Sequence, residues 1–264
     1  MASDAPFAGR VALVTGAAGG IGGAAALALA EAGADLALND LAFDEGPGSI
    51  VAQARALGRR VLLLPVDITD QPAVEAMVGQ AVAELGRLDA VVLAAVYSDR
   101  EPFVTANLDG FRRTLDVSML APVYVLRAAA AQMIRQGQGG SVVVVSSPHA
   151  HVPLPTCMAY NMAKAANDQM ARTAAIELLS QRIRVNLVYP GWTDTPGERK
   201  FFSEQQLREA ASQLPMGRLV RPAEVARAIV FRLDPANESI TGTTISVDGG
   251  SQLPWWSKRG TGEF

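Results

Sequence analysis

Short apolar runs bounded by glycine or polar residues recur along the whole chain. They read RVALV (10–14), ADLALND (34–40), RVLLLPVD (60–67), DAVVLAAV (89–96), SVVVVSS (141–147), IRVNLVYPG (183–191) and TTISVDGG (243–250). Runs of this length, apolar on both faces, predict strands buried inside a parallel sheet. Between them lie helical patterns. An alanine- and leucine-rich stretch ends at Glu31, and others span 49–58, 71–86, about 107–136, 159–180 and 221–233. The 71–86 stretch has proline near its start and glycine at its end, the usual helix punctuation. Strand and helix alternate throughout, which predicts an α/β fold: a doubly wound, Rossmann-type parallel sheet with helices on both faces. No linker or low-complexity tract divides the chain, so residues 1–264 are expected to form a single domain with a C-terminal tail at 251–264. In such a sheet the ligand lies beyond the carboxyl ends of the strands.

One stretch tests this reading. From Val11 to Ala30, twenty residues carry no charge, about the length of a bilayer span. Five glycines fall between positions 16 and 23, and each would cost a helix roughly 1 kcal/mol relative to alanine. Strand, glycine turn and helix is the consistent reading, and no membrane is expected as partner. Glycines there let the backbone turn tightly and let phosphates approach the N–H groups at the helix start.

Composition narrows the classes. Of 264 residues, 49% are hydrophobic and 19% charged, which excludes a disordered chain. A net charge of −3 gives no reason to expect nucleic acid. Cys157 is the one cysteine, so no internal disulfide can form. The opening MASDAPFAGR has an early acid and no long apolar core, unlike a secretory signal, and the cytoplasm is the expected location. His149 and His151 have no third ligand in view, so no metal is expected.

Chemistry enters after the strands. Asp40 ends the second strand, where a carboxylate can accept ribose hydroxyls and repel an added phosphate. This favours NAD as cofactor and leaves use of NADP open. Tyr160 and Lys164 are four residues apart on one helix and share a face. Ser147 ends the fifth strand, thirteen residues before Tyr160. Tyrosine's free pKa of about 10 is high for a base near neutrality, and a neighbouring lysine cation together with the positive nicotinamide is expected to lower it.

The T-G-x-x-x-G-x-G string at Thr15, Gly16, Gly20 and Gly22, joined with Ser147, Tyr160 and Lys164, resembles the short-chain dehydrogenase/reductase family over nearly the whole chain. That resemblance implies the roles. Tyr160 is the acid/base, Lys164 its tuner and ribose ligand, and Ser147 the partner of the substrate oxygen. Thr15, Gly16, Gly20, Ile21 and Gly22 form the cofactor loop, with Asp67 and Ile68 beside the adenine. In YPGWTDTP (189–196), Pro190, Gly191, Thr193 and Thr195 match the segment that meets the nicotinamide carboxamide and pyrophosphate. After the fourth strand the family's N-N-A-G is replaced by Leu93-Ala94-Ala95-Val96, so only the backbone of Ala94 and Ala95 is expected to line the cofactor. Ser118 stands where the family often has an asparagine that holds a helix kink and a relay water, and is expected to take over part of that work. Pro148 removes a backbone donor beside Ser147, and His149 is placed in the substrate pocket.

Segments 146–164, 195–201 and 215–226 resemble the glucose 1-dehydrogenase-like branch. This implies a small-molecule substrate, a sugar or polyol, with ketone or 3-oxoacyl reduction and a non-catalytic dinucleotide-binding protein as alternatives. Relatives of this kind form homotetramers, and the tail carrying Trp255 and Trp256 is expected to pack against its own or a neighbouring subunit.

Overall fold

The structure is a computed structural model that describes residues 5–253; the expected Trp255–Trp256 contact lies outside the described residues. Seven parallel strands form one sheet: β1 (Val11–Thr15), β2 (Asp35–Asp40), β3 (Val61–Pro65), β4 (Ala90–Leu93), β5 (Gly140–Val145), β6 (Ile183–Pro190) and β7 (Thr244–Val247). Their order across the sheet is β3-β2-β1-β4-β5-β6-β7. The chain builds outward from β1 to β3, then returns to the other side of β1 with β4. The crevice between the loops after β1 and β4 is therefore the topological switch point, where this class of sheet binds ligands.

Alternate residues of one strand feed two cores. Val11 and Leu13 point to the side packed by α3 (Gln71–Leu85), α5 (Ala121–Gln136) and α6 (Met158–Glu177). Ala12 and Val14 point to the side packed by α1 (Gly20–Glu31), α2 (Ile50–Ala56) and α8 (Pro222–Leu233). Asp70 caps α3 through the Ala73 N–H, and Gly86 ends it in the left-handed region at φ 92°. The glycine was legible as punctuation; the Asp70 cap is added by the structure.

The helical region expected near 107–136 is three pieces. α4 (Leu108–Leu115) runs into a π turn (Asp116–Leu120) and then α5. Pro122 explains part of the break: it has no N–H to offer the carbonyl four residues back, that of Ser118. By length and hydropathy this run could cross a bilayer, yet Val125, Ala129 and Met133 are buried in the core against the sheet. A further helix, α7 (Glu204–Ser212), was not anticipated. Its capping box, Ser203 with Gln206, is the sequence signal that marks it.

Candidate active site

A cleft of about 1270 Å³ opens at the carboxyl ends of the strands. Gly16, Gly20, Ile21, Gly22, Asp40, Asp67, Ile68, Ala94 and Ala95 line one half. Ser147, His149, Tyr160, Lys164, Pro190, Gly191, Thr193 and Thr195 line the other. Two expected residues lie elsewhere. Thr15 is buried, donating to the Val92 carbonyl (3.3 Å) and accepting the N–H groups of Ala94 (3.1 Å) and Ala95 (3.3 Å). It pins the β1 turn to the β4 turn and does not face the cleft. Ser118 is the other and is treated below.

The glycine turn fits a dinucleotide phosphate. Gly16 has φ 67°, and a Cβ there would come within 2.8 Å of the Ala95 backbone, so the two loops close on each other only without a side chain. Gly19 stands at the N-cap of α1 with no side chain capping the helix, and a Cβ there would meet nothing within 4 Å. Unclaimed N–H groups at a helix start beside open space form an anion site. At the far edge Asp40 Oδ2 accepts the Ala18 N–H (3.0 Å) and Oδ1 the Leu41 N–H (2.8 Å). Its carboxylate is thereby fixed at the mouth. None of the lining residues after β1, β2 and β3 is basic.

β5 ends at Val145, two residues earlier than expected, and Ser147 caps a short turn (Pro148–Ala150) by accepting the His149 N–H at 3.2 Å. This lifts its hydroxyl off the sheet edge toward Tyr160. The edge of the His149 ring meets Tyr160 at 6.4 Å between centroids, and His149 Nδ1 pairs with the Val152 carbonyl at 2.9 Å.

Lys164 is buried, with Nζ donating to the Val145 carbonyl at 2.8 Å and lying 5.4 Å from the centre of the Tyr160 ring. The expected lowering of the tyrosine by this lysine is not what the protein does by itself. Burial pushes the Tyr160 phenol up to about 12, with the Ser147 hydroxyl acting in the opposite direction. Burial likewise pushes Lys164 down to about 8, against the pull of Asp168. Desolvation penalises both charged forms and is the largest cause of each shift.

A layer behind the site went unread in the sequence. Asp168 is one turn after Lys164 and is buried. It accepts Ser146 Oγ at 2.6 Å and the Tyr189 hydroxyl, and His151 Nε2 lies 3.3 Å away. Its place on the Lys164 face, i+4, was the available signal.

Ser118 sits in the π turn, so the kink expected at this position is present. Its hydroxyl donates to the Tyr97 carbonyl (2.6 Å) and accepts the Tyr97 N–H (2.9 Å). The hydroxyl's one proton and one of its two lone pairs are spent on one backbone residue, and Ser118 is fully buried. Its carbonyl, freed by Pro122, accepts Asn167 Nδ2 at 2.8 Å. Ser118 is a clip for the β4–α4 loop; the expected relay role does not follow from this geometry.

Proton donors and acceptors gathered at one end of a phosphate-accepting cleft suit a reaction in which a hydride leaves or joins a carbon while its oxygen exchanges a proton. This defines the class: an oxidoreductase dependent on a nicotinamide dinucleotide. Comparison with known proteins makes it specific. A family model described as enoyl-(acyl carrier protein) reductase matches residues 16–252. The chain is 37% identical to cis-4-hydroxycyclohexanecarboxylate dehydrogenase of Sinomonas cyclohexanicum, over 92% of this chain and 97% of that one. It is also 37% identical to L-rhamnose 1-dehydrogenase (NAD(P)(+)) of Sphingomonas sp. (strain SKA58), over 92% and 96%. Glucose 1-dehydrogenase of Gluconobacter oxydans (strain 621H) is 33% identical, over 94% and 93%. A short-chain type dehydrogenase/reductase from Mycobacterium marinum superimposes with TM-score 0.87 at 29% identity, over 95% and 99%. The chain belongs to the short-chain dehydrogenase/reductase family, and the named relatives are NAD(P)-dependent dehydrogenases acting on CH–OH groups.

Proposed function

We propose that this protein oxidises a secondary alcohol of a sugar or polyol, or reduces the matching carbonyl, with NAD preferred over NADP. The observation that carries the reading is one continuous cleft joining the uncapped glycine turn to Ser147, Tyr160 and Lys164. The cofactor, when bound, accepts or donates the hydride. Its pyrophosphate would be held at the N-terminus of α1, its adenosine ribose by Asp40, and its nicotinamide end by Lys164 and the Pro190–Thr195 segment. Tyr160 exchanges a proton with the substrate oxygen, and Ser147 hydrogen-bonds that oxygen and orients it. With the phenol pushed up to about 12, Tyr160 keeps its proton at neutrality and is a weak acid, so proton exchange in either direction calls for positive charge beside the ring, which the bound nicotinamide would add.

The preference for NAD rests on Asp40 and on the absence, among the described residues, of a basic side chain in the lining around it. The names of two relatives, which act on rhamnose and glucose, support the sugar class. The chain functions as one domain in the cytoplasm and assembles as a homotetramer; exposed Met162 and Ile176 on α6 and Val123 and Ile134 on α5 support such packing. The test is a screen of aldoses, polyols and secondary alcohols with NAD and with NADP, followed by absorbance of the reduced cofactor. Turnover of a carbinol with NAD is expected. Failure of the whole panel, in both directions, overturns the reading.

A further inference from the structure

The end of the cleft away from Asp40 is closed by a charged pair that the mechanism does not use. Arg100, from the loop after β4, donates Nη2 to both oxygens of Glu198 (3.1 and 3.3 Å). Glu198 begins the turn Glu198–Lys200 in the segment after β6. Trp192 Nε1 donates to the same carboxylate at 2.9 Å. The guanidinium lies over the Phe201 ring at 4.0 Å from its centre and 5.4 Å from that of Phe202. Each charged side chain is 21% exposed, so water screens the pair only in part. Arg100 Nε is buried and has no hydrogen-bond partner among the described residues. All of these side chains line the cleft that holds Ser147 and Tyr160.

An orphaned buried donor is costly, and a ligand acceptor relieves that cost. The pair as a whole is neutral. A carboxylate approaching Arg100 meets the Glu198 oxygens about 3 Å away, and an ammonium approaching Glu198 meets the guanidinium. A hydroxyl group suffers neither penalty. It can accept from Arg100 and donate to Glu198 at once.

We propose that Arg100 and Glu198 form a subsite for a second hydroxyl of the substrate, so that the protein selects neutral polyols over single alcohols and over hydroxy acids. The inference rests on the sugar or polyol reading above and assigns it to two residues. The charges of Arg100 and Glu198 also act on the Tyr160 phenol, in opposite directions, which places the pair within electrostatic reach of the reacting oxygen.

The test compares binding of cyclohexanol, cyclohexane-1,2-diol, cyclohexane-1,4-diol and 4-hydroxycyclohexanecarboxylate to the wild-type protein in the presence of NAD, by ligand-observed NMR. A charge-assisted hydrogen bond predicts roughly tenfold or tighter binding of one of the diols over the mono-ol. In Arg100→Gln and Glu198→Gln, each checked for folding by its melting curve, the diol-to-mono-ol ratio falls toward one. Equal wild-type affinity for mono-ol and both diols, or tighter binding of the hydroxy acid, overturns the proposal whether or not the variants fold. A retained diol preference with no turnover of any carbinol refutes the proposed oxidation and leaves the subsite standing.

Discussion

Lys164 carries a cost that can be measured apart from its chemistry. Its ammonium is buried, and burial brings its folded-state pKa to about 8 from 10.5 in the free side chain. That gap, at 1.36 kcal/mol per pH unit, is a destabilisation of about 3 kcal/mol while both states are protonated. The sign follows from proton counting. Between pH 8 and 10.5 the unfolded chain holds the Lys164 proton and the folded chain does not, so stability gains with rising pH. From about pH 7 to about pH 9.5 the recovered part is about 2 kcal/mol. Lys164→Met keeps an unbranched apolar side chain and removes the titration. The assay is a pair of thermal or urea unfolding series over that range, wild type against Lys164→Met, so that all other groups cancel in the difference. The wild type should gain on the variant by about 4–8 °C in Tm as pH rises, at 2–4 °C per kcal/mol for a chain of this size. The variant should also lose turnover, since the ammonium lies 5.4 Å from the centre of the Tyr160 ring. Parallel pH curves for the two proteins would show that Lys164 carries no desolvation cost and refute the reasoning.

Tyr160→Phe removes the proton donor and keeps the ring. Turnover should fall roughly 10²- to 10⁴-fold with cofactor binding nearly unchanged, measured by steady-state rates and by titration calorimetry. Asp40→Ala should raise the NADP-to-NAD ratio of kcat/KM, because it removes the carboxylate that repels the added phosphate; an unchanged ratio takes Asp40 out of cofactor choice. Ser118→Ala leaves the Tyr97 N–H and carbonyl without their partner, at about 1–3 kcal/mol, and should lower Tm while the apparent pKa of kcat stays put. A shifted pKa would return Ser118 to proton transfer.

The order of elements and the reacting face were legible because their signals are periodic and local. Buried strands are continuous apolar runs, α3 carries its proline start and glycine stop in plain sequence, and Tyr160 and Lys164 share a helix face by spacing alone. What escaped depends on contacts far apart in the chain. The Asp168–Tyr189–His151 group joins α6, β6 and the turn after β5, and no spacing rule links those segments. The π turn needs both Pro122 and the Asn167 amide that takes the carbonyl it frees. In the protein by itself the tyrosine is shifted upward, because sequence supplies the neighbouring cation but not the depth of burial; the expected lowering included the charge of the nicotinamide. α7 was missed although its capping box was present, since a short polar helix has no strong apolar period to announce it.

The central claim is that hydride passes directly between a carbinol carbon and the nicotinamide, with Tyr160 handling the proton. It is tested most directly with a turned-over alcohol bearing deuterium on its carbinol carbon, incubated with NAD and the protein, with mass spectrometry of the reduced cofactor. The account predicts one deuterium in the reduced nicotinamide for the wild type, and label transfer slowed by at least about 10²-fold in Tyr160→Phe. Reduced cofactor without deuterium, or label transfer at the wild-type rate in the variant, would contradict it.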